Sequence, residues 1–266
     1  IIYTAASYIL WGFFPIYFKL LHSVPALQIV SHRVVWSFVF LFLLIVLRRE
    51  VPALKQTLKP RVLLIYLCAG ILLAINWLTY VWSVNAGYVV EASLGYFINP
   101  LVSILLGMIV LREKLRPMQW VPVALATFGV TFLTISYGTL PWIALVLALS
   151  FGLYGLVKKI APLNSLHGLT LETAMLFLPA LGFLMLSETN GTGAFIQEGW
   201  FVTVLLSLAG IITAVPLLLF ASGARQIPLT MVGLLQYFSP TIQFLIGVLI
   251  YHEDFTHARV IGFGII

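Results

Sequence analysis

Two short runs of polar side chains interrupt otherwise apolar sequence. Tyr96, Asn99, Ser103 and Gly107 are spaced by three, four and four residues, and Gln236, Ser239, Gln243 and Gly247 repeat that spacing 140 positions later. Residues three and four apart share one face of an α-helix, so each run forms a stripe of uncharged hydrogen-bonding groups. Amides and hydroxyls both donate and accept, which suits binding of a polar organic solute. Pro100 and Pro240 lie beside the stripes. Each withholds a backbone N–H, so each predicts a kink and a carbonyl in need of a partner. Asn76 and Tyr80, in another apolar run, complete the candidate lining. Two ionisable residues join them. Arg33 carries a lasting charge fit to hold an anionic group on a solute. Glu172 is a candidate proton-coupling carboxylate.

Each candidate has a plainer alternative. Polar stripes with small residues also serve as helix–helix glue. Arg33 also suits snorkelling to the membrane surface, and Glu172 an interfacial position near a helix N-terminus. Glu113 and Glu253, at the ends of apolar runs, read as structural caps or loop ion pairs. The aromatics Trp11, Trp36, Trp77, Trp82, Tyr80 and Tyr154 divide between a cavity and interfacial belts in a way the sequence does not sort.

The elements that carry these residues follow from composition. Of 266 residues, 62% are hydrophobic and 8% charged, with a mean hydropathy of +1.10. Soluble domains carry about 25% charged residues, so this chain cannot cover a water-facing surface. It reads as an all-α integral membrane protein. Apolar runs fall near 2–21, 26–47, 62–82, 88–111, 118–136, 141–157, 167–187, 201–222 and 229–250, and a tenth begins near Val260. The seven residues of that last run would rise only about 10 Å as helix, so the tenth span is expected to be truncated. The chain opens without Met inside an apolar run, which reads as trimming at both ends. Cys68 stands alone, so an intrachain disulfide is excluded.

Loop charges set an orientation. Arg48, Arg49, Lys55, Lys59, Arg61, Arg112, Lys114, Arg116, Lys158, Lys159 and Arg225 fall in alternate loops, 11 of the 14 Lys and Arg. The opposite loops hold Glu188, Glu198, Glu253 and Asp254 with Arg259. Basic loops stay cytoplasmic, which places the N-terminus inside. The net charge of +6 then needs no nucleic-acid partner.

The 140-residue offset extends along the chain. Gly12 corresponds to Gly152, Lys19 to Lys159, Ala69-Gly70-Ile71 to Ala209-Gly210-Ile211, and Pro100, Gly107 and Glu113 to Pro240, Gly247 and Glu253. Glycines, prolines and a glutamate in one register indicate an internal duplication. The repeats are expected over 1–139 and 140–266, five spans each, ten helices in all. Five is odd, so the second copy enters the membrane inverted. The basic loop 48–61 becomes an acidic one at 188–201, as inverted repeats require.

Several chemistries are discounted. No G-x-x-x-x-G-K-[ST] phosphate loop is present. In His252-Glu253-Asp254-Phe255-Thr256-His257 the histidines are five apart, about 140° around a helix, too far to share one zinc. No Ser/His/Asp set falls at one depth. No cofactor or metal is expected.

Trp11-Gly12, the Pro–Gly–Glu pattern of the fourth and ninth runs, and Gln119-Trp120 followed by Gly129 resemble a twice-repeated EamA domain of the drug/metabolite transporter superfamily. Ser31-His32-Arg33-Val34-Val35-Trp36, Asn76-Trp77 and Glu91-Ala92-Ser93-Leu94-Gly95-Tyr96-Phe97-Ile98-Asn99-Pro100 are similar to the RarD-type permeases within it. The resemblance implies ten helices in a bacterial inner membrane, cytoplasmic termini, and secondary transport of small metabolites or drugs, often outward. RarD-type members are associated with chloramphenicol. The chain departs from the pattern in its short tenth run and in Ser239, where the first copy has Asn99.

Together these features read as a secondary transporter working by alternating access on an amphipathic organic solute, with the bilayer as its other partner and proton coupling through Glu172. A polytopic enzyme acting on lipid head groups and a channel-like protein are the alternatives.

Overall fold

A computed structural model describes residues 1–86, 88–137 and 141–250. The helices are α1 (Ile2–Gly12), α2 (Phe14–Leu20), α3 (Ala26–Leu47), α4 (Val51–Gln56), α5 (Pro60–Asn85), α6 (Val89–Ile109), α7 (Trp120–Tyr137), α8 (Trp142–Ile160), α9 (Ser165–Thr189), α10 (Ala194–Gln197), α11 (Trp200–Ala224), α12 (Leu229–Gln236) and α13 (Phe238–Leu249). Among the described residues no strand occurs. Helices α3, α5, α8, α9 and α11 are each long and apolar enough to cross a bilayer, and α6 holds a shorter apolar stretch. At 1.5 Å per residue, α6 reaches about 32 Å, against a hydrocarbon core of about 30 Å.

Burial is arranged for lipid. Leu47, Ile109, Leu178 and Leu186 are exposed, whereas Ser37, Thr170, Thr213, Arg33 and Glu172 are buried. Apolar side chains outside and polar ones inside is the distribution a bilayer imposes, because a polar group in hydrocarbon lacks partners.

Two apolar runs are broken rather than continuous. The first, expected as one helix, divides at Phe13 into α1 and α2. Pro15 withholds the N–H that a continuous helix would give to the Trp11 carbonyl. The last described run divides at Tyr237 into α12 and α13. Pro240 therefore sits in the first turn of α13, where its missing N–H costs nothing. Pro100, by contrast, lies inside an unbroken α6. The run beginning near Val260, with Glu253, Asp254 and both histidines of the 252–257 segment, lies outside the described residues.

Helix limits recur with the sequence offset. Shifted by 140 positions, the start of α1 and end of α2 fall on those of α8. Helix α6 falls on the start of α12 and the end of α13, and α5 on α11 within one residue. Close contacts recur too. A Cβ on Gly12 would lie 2.7 Å from Ile242, and one on Gly152 would lie 2.6 Å from Val102. Gly70 packs against Leu176, and Gly210 against the backbone of Trp36. In each pair both members shift by 140, and each contact joins the first part of the chain to the second. A side chain at Gly12, Gly152 or Gly210 would force the neighbouring helix to shift, whereas Gly70 sits at ordinary contact distance.

Two polar contacts brace one end of the bundle. Glu113 Oε1 accepts from the N–H of Leu229 (2.8 Å) and Oε2 from that of Thr230 (2.9 Å), capping α12. Lys159 Nζ donates to the carbonyls of Ile227 (2.6 Å) and Ala224 (3.4 Å), satisfying the end of α11. A carboxylate at a helix N-terminus and an ammonium at a C-terminus both follow the helix dipole. Glu113 thus has the capping role expected of it.

Candidate solute-binding cavity

A cavity opens where α1, α2, α3, α5, α6, α8, α11, α12 and α13 meet. Arg33, Asn76, Tyr80, Tyr96, Asn99, Gln236, Ser239, Gln243 and Pro240 all line it. Asn99 lies at the midpoint of the 21-residue α6, which sets the cavity near the middle of the span. Sequence reading missed Tyr8, Phe14, Pro15, Phe18, Phe151 and Leu217, which also line it. Their signal was weak, because aromatic residues occur throughout the apolar runs.

The floor is aromatic. Trp11 stands 5.6 Å from Phe151 and 5.5 Å from Tyr8, and Phe151 stands 5.5 Å from Phe220. Edge and tilted contacts of this kind fix ring positions more firmly than aliphatic packing does. Tyr80 and Tyr96 meet edge to face at 5.6 Å and form a wall. Of the other aromatics, Trp77 lines the cavity, Trp36 stacks on Phe195, and Trp82 packs among Tyr88 and Trp142 away from it.

The polar groups divide by whether they already have partners. Asn76 Nδ2 donates to the Leu147 carbonyl (2.9 Å) and Ser150 Oγ (3.1 Å), so one side of this amide is committed to α8. Gln243 Nε2 donates to the Trp11 carbonyl (3.2 Å) and Ser239 Oγ (3.2 Å). It serves the carbonyl from which Pro15 withholds an N–H, so a proline in one helix creates the need for an amide in another. Asn99 Oδ1 and Gln236 Oε1 are buried without a partner, as is the Tyr8 hydroxyl. A buried polar atom left unpaired costs about 1–3 kcal/mol. All three residues line the cavity.

Arg33 is 7% exposed. Its Nε donates to Thr213 Oγ1 at 2.9 Å, and its guanidinium lies 4.2 Å from the centre of the Trp77 ring. Phe18 and Phe14 stand at 5.5 and 5.6 Å. The aromatic box holds the charge inside the protein rather than at the membrane surface.

Ser103, expected in the lining, and Glu172, expected as a coupling residue, both lie outside the cavity. Ser103 is buried but does not line the cavity. Below Asn99 the helices close, since Gly233 of α12 packs directly on the Pro100 carbonyl and Ile104. Glu172 lies within α9 in a sealed cluster, with Oε1 accepting from Lys158 Nζ at 2.7 Å and Oε2 from the Tyr154 hydroxyl at 3.2 Å. Lys158, read from sequence as a loop cation, is 3% exposed and belongs to the last turn of α8. Tyr154 and Lys158 are four apart on that helix, a spacing that puts both on one face with Glu172 as shared partner. Among the described residues no cluster of His, Cys, Asp and Glu is suited to hold a metal.

The model of the EamA-like transporter family matches residues 1–135 and again 140–266. The chain belongs to the EamA-like transporter family. It is 49% identical to the uncharacterized transporter YojE of Bacillus subtilis, covering all of this chain and 90% of that protein. It is 40% identical to protein RarD of Escherichia coli, again over all of this chain and 90% of the relative. A solved crystal structure at 16% identity superimposes with a TM-score of 0.72, covering 99% of this chain and 93% of its own. At that identity the likeness speaks for the fold. As an EamA-like protein of RarD type, the chain is a multi-span membrane transporter of the drug/metabolite superfamily.

Proposed function

We propose that the chain is a secondary transporter that moves a small amphipathic organic solute outward across the bacterial inner membrane by alternating access. The solute binds in the midspan cavity. Two five-helix repeats, 1–139 and 140–266, lie inverted to one another around it, with the N-terminus cytoplasmic. The carrying observation is that Tyr96 and Asn99 of one stripe and Gln236, Ser239 and Gln243 of the other line one cavity, with Asn99 Oδ1 and Gln236 Oε1 unpaired. Recurrent helix limits, the reciprocal glycine contacts and the two family matches support the duplication. The reversed loop charges support the inversion. The broken helices at Phe13 and Tyr237 border the cavity, as discontinuous helices do at transporter sites.

The cavity leaves about 100 Å³ for the centres of water-sized spheres. One water needs about 10–15 Å³ by that measure, so this conformation holds several waters or one small group, and an amphenicol-sized solute requires it to widen. Glu172 is the proposed coupling residue. Protonating it would release Lys158 and loosen α8 from α9, which links proton uptake to helix movement.

The test is a counterflow screen of amino acids, nucleosides and amphenicols in proteoliposomes, with and without a proton gradient. Saturable exchange with gradient-driven accumulation is the expected result. Non-saturating leak would favour a channel, and exchange indifferent to the gradient would remove Glu172 from coupling.

A further inference from the structure

We infer that the solute of this cavity is an organic monoanion, a carboxylate on an aromatic or apolar body, with Arg33 as its counter-charge. The inference rests on the transporter reading above and narrows it. Arg33 is the charged residue among the described residues that line the cavity. Among the carboxylates whose side chains are described (Glu50, Glu113, Glu172, Glu188 and Glu198), none stands within ion-pair distance of it. Its Nε is engaged by Thr213, and its two terminal nitrogens remain as the fork that matches a carboxylate, on a side chain that lines the cavity.

A second buried cation in the same protein provides the contrast. Lys158 has Glu172 at 2.7 Å. Lys158 thus pairs with a carboxylate of the chain, whereas none of the described carboxylates reaches Arg33. Aromatic rings position the guanidinium but cannot neutralise it. An uncompensated charge in a low-dielectric interior is costly, and a single negative charge on the solute removes that cost. A cationic solute would add a second positive charge at the same place, and a dianion would leave a negative surplus. The remaining contacts describe the solute's body. Rings of Trp11, Phe14, Trp77 and Phe151 offer flat apolar faces, and Asn99 Oδ1 and Gln236 Oε1 await an N–H or O–H donor.

The experiment uses the full chain, in detergent for thermal shifts and in proteoliposomes for counterflow. Benzoate, phenylacetate and 3-phenylpropanoate are each compared with the matching amide, in wild type, Arg33→Lys and Arg33→Met. At least one carboxylate is expected to exchange saturably and raise the unfolding midpoint, its amide doing so about tenfold more weakly or less. Arg33→Met should cut carboxylate affinity about a hundredfold and leave the amide within a few-fold. Arg33→Lys should fall between, keeping the charge and losing the fork. Should Arg33→Met not fold, the wild-type pairs and Arg33→Lys decide the matter alone. Amides matching their acids, both falling together in the Arg33 variants, or exchange confined to neutral or cationic solutes of the wider screen would overturn the anion inference while leaving a transporter. Linear leak with no saturable solute of any kind would overturn the transporter reading itself, and the inference with it.

Discussion

Replacing Asn99 by leucine is expected to cut solute exchange about 10- to 100-fold while leaving the folded protein as stable as before. The size follows from the loss of a hydrogen bond to a buried solute group, about 1–3 kcal/mol. Asn99 Oδ1 is buried and unpaired, so the folded state already carries the cost of a polar atom with no partner. Removing it by an apolar group of similar size is neutral or stabilising. Asn76 provides the control. That amide makes two hydrogen bonds to α8, so Asn76→Leu should lower both exchange and the unfolding midpoint. Equal membrane insertion with unequal stability separates a residue kept for solute from one kept also for packing. Unchanged flux in Asn99→Leu would remove it from the site.

The second large effect concerns stability. Glu172→Gln leaves Lys158 charged and buried with no anion beside it, which should cost about 3–5 kcal/mol. Combining it with Lys158→Met should recover most of that loss, because an apolar replacement of a buried ion pair is often neutral. Thermal unfolding in detergent of the two single variants and the pair gives the cycle. Transport adds the functional half. If the double variant regains stability but no longer accumulates solute against a proton gradient, Glu172 is a coupling residue. If it regains both, the pair is scaffold.

The site was largely legible because lipid makes polarity informative. In a run of Leu, Ile and Val, an amide at helical spacing must face inward, and Asn99, Gln236 and Gln243 could be found on that ground alone. What could not be read was which neighbour each would meet. Ser103 shares the face of Asn99 but not the cavity, since the approach of Gly233 to Pro100 decides where the space ends. Lys158 follows an apolar run directly and carries Lys159 beside it, so it resembles a loop residue; its burial depends on Glu172 arriving from another helix. The break at Phe13 leaves no gap in hydrophobicity, and its signature is a single proline two residues on. The aromatics were the least legible, because their apolar bodies suit lipid, cavity and core alike.

The most direct measurement of the central claim is side-specific labelling of one cavity position. Ser239→Cys in a Cys68→Ser background sets a single thiol beside Gln243 in the cavity. A membrane-impermeant maleimide is then applied to sealed vesicles of known orientation from either face, with and without an exchanged solute. Alternating access around this cavity predicts reaction from both faces, each slowed by saturating solute. Reaction from one face alone, or from both at rates that solute does not change, would contradict it.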